Sequence, residues 1–356
     1  MDVLQAINEI RGLDAAAMDN AASRQKNLLK PAGSLGVLED ISIQFAGITG
    51  QVCNTITKKV HYLFGADNGV YAEGVAAAPQ SFTRILMTNY AEGGCGINVL
   101  CDLHGVALRL VDVGIIGPLN DPRIRNAKHM DGTGNIATEP AMPRETAVAA
   151  MQTGFTCALE AKQEGFGILG TGEVGMGNTT TAAACIMAAL GVTDADAAVG
   201  RGAGLTDEAF ATKKDVVRRA LALHQPNADD AVDILCKLGG LDIAALVGLY
   251  IGAAHARLPI VVDGVISVAA ALLAVRLQPL ARGFMLASHV SEEPAYALAV
   301  QALGMHPVLN LNMRLGEGSG CPMAMMVVDA ALAVLRDMHT FDTLKLPTDY
   351  QKDLRA

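Results

Sequence analysis

Apolar residues fall at helical spacing from the first turn of the chain. Val3, Leu4, Ile7, Ile10 and Leu13 recur every three or four positions, which predicts helix over residues 1–28. A Pro- and Gly-rich turn at 30–36 interrupts the pattern. A second helix is expected from about 35 to 47, with Ser34 as its cap and Glu39 and Asp40 in its early turns. No strand-like run precedes His61-Tyr62-Leu63-Phe64-Gly65, so the first sixty residues read as a helical extension. From there β-rich apolar runs alternate with helical ones. Residues 62–65, 106–113, 167–169, 259–262 and 284–287 read as strands, and 308–313 as a further one. Helical periodicity covers 82–104, 145–164, 179–190, 213–224, 230–239, 243–256, 265–277 and 294–303, while 118–144 reads as one long polar loop. This alternation implies right-handed βαβ units: an α/β fold with a mostly parallel sheet covered by helices on both faces. Ligands of such sheets sit beyond the carboxyl ends of the strands.

Composition narrows the class. Apolar residues make up 51% of the 356, aromatics 4%, and tryptophan is absent, which suits close helix-on-sheet packing. A formal charge of −9 with no basic stripe argues against nucleic acid or an anionic membrane surface as partner. It leaves open a small phosphorylated ligand, which needs only a few placed donors. The seven cysteines form no C-x-x-C pair and no Cys/His ligand spacing, so reduced thiols are expected. The acidic start is unlike a signal peptide, and no 18-residue uncharged run appears, so a cytoplasmic protein is expected. The histidines show no metal-ligand spacing, and no P-loop, G-x-S-x-G or H-E-x-x-H is present.

The residues that can carry chemistry follow strand-like runs: Asp67, Asp112, Glu173, Asp263, Ser288 and Glu317. Glu317 sits among alternating glycines in Leu315-Gly316-Glu317-Gly318-Ser319-Gly320-Cys321, either as a general base or as a solvated Glu in a connector. Residues 170–180 hold a literal G-x-G-x-x-G. It reads as an anion-binding turn, as a dinucleotide fingerprint of an NAD(P)-dependent oxidoreductase, or as a structural turn. The mid-chain position and the lack of an acidic residue closing a following strand weigh against the dinucleotide. Glu173 inside it suits the hydroxyls of a ribose. A third Gly-rich turn at 200–204 precedes Lys213, a phosphate partner or a solvated surface residue. Asp263 reads as a site residue or merely as the N-cap of the next helix, and Ser291 as the N-cap of the helix from 294.

Taken together, Lys30-Pro31-x-Gly33-Ser34-Leu35-Gly36, Ala66-Asp67-x-Gly69-Val70, Gly134-Asn135-Ile136-Ala137, Gly172-Glu173-x-Gly175-Met176-x-Asn178-Thr179-Thr180, Lys214-Asp215-Val216-Val217-Arg218-Arg219-Ala220 and Arg314-Leu315-Gly316-Glu317-Gly318-Ser319-Gly320 resemble the nicotinate-nucleotide-dimethylbenzimidazole phosphoribosyltransferase family of cobalamin lower-ligand assembly. The match runs in order over nearly the whole chain. It implies a Rossmann-like catalytic domain over 61–317 and a small helical domain from 1–60 and 318–356. It also implies transfer of 5-phosphoribose from nicotinate mononucleotide to a base without metal or cofactor, by a homodimer. The family's general base falls on Glu317. Glu173 and Gly175 line the ribose and phosphate region, with Gly202, Lys213 and Ser291 around the phosphate and Asp263 close by. The acceptor pocket falls on Ala78, Leu86, Met87, Val174, Met176 and Leu315. Here the chain departs from the pattern: Ala78 and Leu86 stand where the benzimidazole-using enzymes carry Ser and Gln. Losing those polar groups implies a site open to phenolic acceptors such as phenol or p-cresol. Relatives with that activity pair two paralogues as a heterodimer.

Overall fold

A computed structural model describes residues 1–347 and 352–355. Six parallel strands form one sheet: β1 (Lys59–Ala66), β2 (Val106–Gly114), β3 (Ile124–Asn126), β4 (Ile168–Val174), β5 (Ile260–Val262) and β6 (Met285–Ala287), in the order β3-β2-β1-β4-β5-β6. This is the Rossmann order, in which the direction of strand addition reverses between β1 and β4. β1 and β4 are buried along almost their whole length, as expected of central strands covered on both faces.

One face is covered by Arg144–Gln163 and Leu241–His255, which cross so closely that neither Gly154 nor Gly248 has room for a Cβ against the partner's backbone. Leu241–His255 is buried from Leu241 to Ala254 and, beyond Asp242 in its first turn, apolar on every side. On the other face Gly320–Asp337 packs against β4 and β5 and against Val37–Thr49 from the first sixty residues. Ala17, Ala21, Leu28, Ala46 and Leu335 join both chain ends in a small apolar cluster. Of the stretch 318–356 expected there, residues 348–351 and 356 lie outside the described ones.

Several expectations change. Residues 1–28 split into Val3–Ala6, Ile7–Glu9 and Ala15–Asn27, the last capped by the Asp14 side chain. Helix Val37–Thr49 starts after Gly36 at φ +54, so Ser34 does not cap it. The 82–104 pattern breaks at Gly93 (φ +89) into Phe82–Glu92 and Gly96–His104. The polar loop contains β3, and 308–313 forms only an isolated bridge between Leu309 and His289. Among the described residues no helix is long and apolar enough to cross a membrane.

Candidate active site

The carboxyl ends of β4 and β5 open into a cavity of about 380 Å³, a size suited to a small-molecule ligand. Glu173, Gly175, Gly202, Asp263, Ser291, Ala78, Leu86, Val174, Met176, Leu315 and Glu317 all line it. Two of the expected residues do not. Met87 is fully buried in the core beneath its helix, where its sulfur faces Gly65. The stripe that faces the cavity from that helix is Phe82, Leu86 and Tyr90, four residues apart. Lys213 is not a solvated surface residue. It is fully buried, and its Nζ donates to Thr179 Oγ1 (2.8 Å) and to the Gly200 carbonyl (2.9 Å), one layer beneath the 200–204 loop.

Glu317 is held by the whole fold. It takes a left-handed conformation (φ +61) between Gly316 (φ +83) and Gly318 (φ +76), three such residues in succession. Its carbonyl accepts from Nε2 of His61 in β1 (3.2 Å). Its carboxylate Oε2 accepts from the Ile97 N–H in the first turn of Gly96–His104 (3.0 Å). Three residues on, the Gly320 N–H donates to Asp263 Oδ1 (2.9 Å). Asp263 therefore ties the start of Gly320–Asp337 to β5; the helix that follows it directly is capped at Gly264. Burial pushes Asp263 up from its ordinary range, with His289 opposing. Ser291 is not the helix cap either; that position is Glu293.

His61 explains the glycines at 170 and 172. These residues are not a turn but part of β4, beside His61 and Leu63 of β1. A Cβ at Gly170 would lie 2.5 Å from His61 Nδ1, and one at Gly172 would lie 2.6 Å from the Glu317 carbonyl oxygen. The first half of the G-x-G-x-x-G thus makes room for an imidazole and a backbone, which removes its reading as a dinucleotide fingerprint. Burial lowers His61 to about 4, so it is neutral near pH 7.

Around Glu317 acidic groups crowd together. Glu173 is pushed up to about 8, first by burial and then by Asp242, against a hydrogen bond from Asn178 Nδ2 to its Oε2. Asn178 Nδ2 also donates to Asp242 Oδ2 (3.0 Å), and burial lifts Asp242 to about 6. The buried Tyr90 hydroxyl lies beside the Glu317 and Glu173 carboxylates without a well-formed hydrogen bond; burial and then those charges push it far up. A carboxylate placed as Glu317 is can take up a proton. By contrast Asp67 and Asp112 spend their carboxylates on loop N–H groups of Ile116, and of Gly114 and Ile115, outside the cavity. His61, Tyr90, Ile97, Asn178 and Asp242 escaped the sequence reading.

A parallel sheet in Rossmann order, with a carboxylate-floored pocket at its reversal point, defines an α/β enzyme acting on a small molecule. A family model described as phosphoribosyltransferase matches residues 10–345. A nicotinate-nucleotide-dimethylbenzimidazole phosphoribosyltransferase of Clostridium perfringens is 44% identical over 99% of this chain and 97% of its own length. One from Geobacter sulfurreducens is 44% identical over 95% and 96%. The crystal structure of CobT from Thermus thermophilus superimposes with a TM-score of 0.90 at 37% identity, covering 93% of this chain and 99% of that one. The chain belongs to this phosphoribosyltransferase family.

Proposed function

We propose that the chain transfers 5-phosphoribose from nicotinate mononucleotide to a lower-ligand base such as dimethylbenzimidazole, giving the α-riboside 5′-phosphate and nicotinate. The observation that carries this reading is Glu317, fixed by Ile97 and His61 at the edge of a pocket shared with Glu173. The donor's pyridinium leaves as a neutral ring, taking the electrons of its bond to the anomeric carbon. Positive charge then grows on the ribose, beside Glu317. The acceptor attacks from the opposite face, and its proton passes to Glu317. We assign the phosphate to Gly202, Ser291 and the buried Lys213, the ribose to Glu173 and Gly175, and the acceptor to the wall of Ala78, Leu86, Val174, Met176 and Leu315. Glu317→Gln should cost about 10²–10⁴-fold in kcat while retaining the fold. A variant with wild-type turnover removes Glu317 as the base.

One observation favours a second acceptor class. The wall at Ala76, Ala77, Ala78, Phe82 and Leu86 carries no polar side chain. A wall without polar partners discriminates little against acceptors lacking a second ring nitrogen, so phenol and p-cresol fit it. Turnover of nicotinate mononucleotide with dimethylbenzimidazole and with p-cresol, side by side, decides between them; no p-cresol product removes the second reading.

A further inference from the structure

The loop at 200–204 is already occupied. The Gly202 N–H donates to Glu293 Oε1 (2.7 Å), and the Glu293 carboxylate lies so close over Gly200 that a Cβ there would stand 2.6 Å from Oε1. The other carboxylate oxygen, Oε2, is buried and has no hydrogen-bond partner among the described residues. Below the loop is the Lys213 ammonium, fully buried, with two of its three N–H bonds directed at Thr179 and Gly200. Glu293 is the N-cap residue of Pro294–Ala302, yet its side chain makes no bond to that helix and turns into the loop instead. Its backbone N–H meets Ser291 Oγ at 3.5 Å, and both residues line the cavity.

A carboxylate on a glycine-loop N–H, above a buried ammonium, stands where an oxyanion of higher charge would be held more firmly. We infer that Glu293 is an internal stand-in for the donor's phosphate, and that the phosphate displaces it on binding. This rests on the reading of the cavity as a phosphoribosyl site. The displacement makes the phosphate a condition of binding. A dianion competes for the Gly202 N–H and for Lys213, whereas a dephosphorylated riboside leaves Glu293 in place and finds the site partly filled. The carboxylate with one unsatisfied oxygen is the weaker occupant, because a buried acceptor without a partner is unfavourable. A site filled by its own side chain nine-tenths of the time shows an apparent affinity about tenfold below the intrinsic one.

The test uses inorganic phosphate as probe and isothermal calorimetry on the full chain at about pH 7, with Glu293→Gln and Glu293→Ala compared with wild type. The expected result is phosphate binding tightened about threefold to tenfold in both variants, with a parallel fall in KM for nicotinate mononucleotide. Phosphate binding unchanged or weakened in both variants overturns the inference, since a Glu293 that merely shapes the loop gives that result. Far-ultraviolet circular dichroism identifies a variant that has lost its fold, and the other variant then carries the test. The two readings separate cleanly. Tightened phosphate binding without turnover of nicotinate mononucleotide supports the stand-in and removes the phosphoribosyl donor. Turnover with unchanged phosphate binding does the reverse.

Discussion

Gly318→Ala tests whether the Glu317 turn is held by contact or only by its own backbone preference. Gly318 has φ +76, and a Cβ there would lie 2.5 Å from the Thr171 carbonyl oxygen and inside the radius of the His61 ring. The left-handed conformation alone costs an alanine about 1–2 kcal/mol. Forcing a methyl into packed surroundings adds about 1–3 kcal/mol. The sum, roughly 2–5 kcal/mol, is a large part of the ~5–15 kcal/mol that holds a typical fold. Gly304→Ala supplies the control. It has the same backbone demand (φ +57) but nothing within 4 Å of the new Cβ, so it should cost only the first contribution, about 1–2 kcal/mol. Guanidinium unfolding of both variants reads the difference as midpoints at equal slope. If the turn yields instead of the fold, Glu317 moves, and a shift of ~1 Å costs about 10²-fold in kcat. A Gly318→Ala protein that matches Gly304→Ala in midpoint and wild type in kcat refutes the reasoning, because neither the fold nor the base would have felt the methyl.

Other predictions concern the walls of the same pocket. Glu173 is raised from the ordinary 4.5 to about 8, so between those values the folded protein keeps a proton that the unfolded chain has lost. Stability of the ligand-free protein should therefore fall as pH rises through that window, and Glu173→Gln should flatten the fall in a melting series; an unchanged slope rejects the buried-proton account. Tyr90→Phe removes a phenol that makes no well-formed hydrogen bond in the ligand-free protein; where that hydroxyl bonds Glu317 only in the reacting complex, the change should lower kcat about 5–10-fold with KM for nicotinate mononucleotide unchanged. Steady-state kinetics with the donor varied checks this, and an unaltered kcat excludes the hydroxyl from the reaction. Ala78→Ser combined with Leu86→Gln should raise the preference for dimethylbenzimidazole over p-cresol about tenfold in kcat/KM; an unmoved ratio shows that these two positions do not set acceptor choice.

The central strands were legible because burial on both sides leaves apolar runs, as at 62–64 and, interrupted by Asp112, at 110–113. Strand β3 was not, since only Ile124 of Ile124-Arg125-Asn126 is buried. Residues 308–313 misled in the opposite direction. Their alternation of apolar and amide side chains imitates a strand, but Asn312 turns to φ +53 and Leu311 faces solvent. The rule that ligands gather at strand ends placed Glu173, Asp263 and Glu317 correctly in one cavity, although only Asp263 follows a regular strand; Glu173 lies within β4 and Glu317 after an irregular stretch. It gave no access to His61, which lies 256 positions from the carbonyl it holds, or to Ile97, 220 positions from its carboxylate. Such pairs carry no local spacing, and only the folded chain joins them.

The glycines show how a sequence motif can be real and its mechanism different. Gly170 and Gly172 look like a phosphate turn because a phosphate turn and a close backbone crossing both need the same missing Cβ. The structure spends them on the second need: they admit His61 from β1, and His61 in turn holds the Glu317 carbonyl. A non-glycine residue in the left-handed region is itself unfavourable by about 1–2 kcal/mol, so Glu317 stays there only because surrounding bonds over-determine it. Those bonds come from β1 through His61, from the helix Gly96–His104 through Ile97, and from the end of β5 through Asp263 and Gly320. Three separate parts of the fold therefore converge on the turn that carries Glu317. Releasing any of them should shift Glu317 while leaving the cavity standing, so, on the proposed role of Glu317, damage at this turn should appear in kcat before it appears in donor binding.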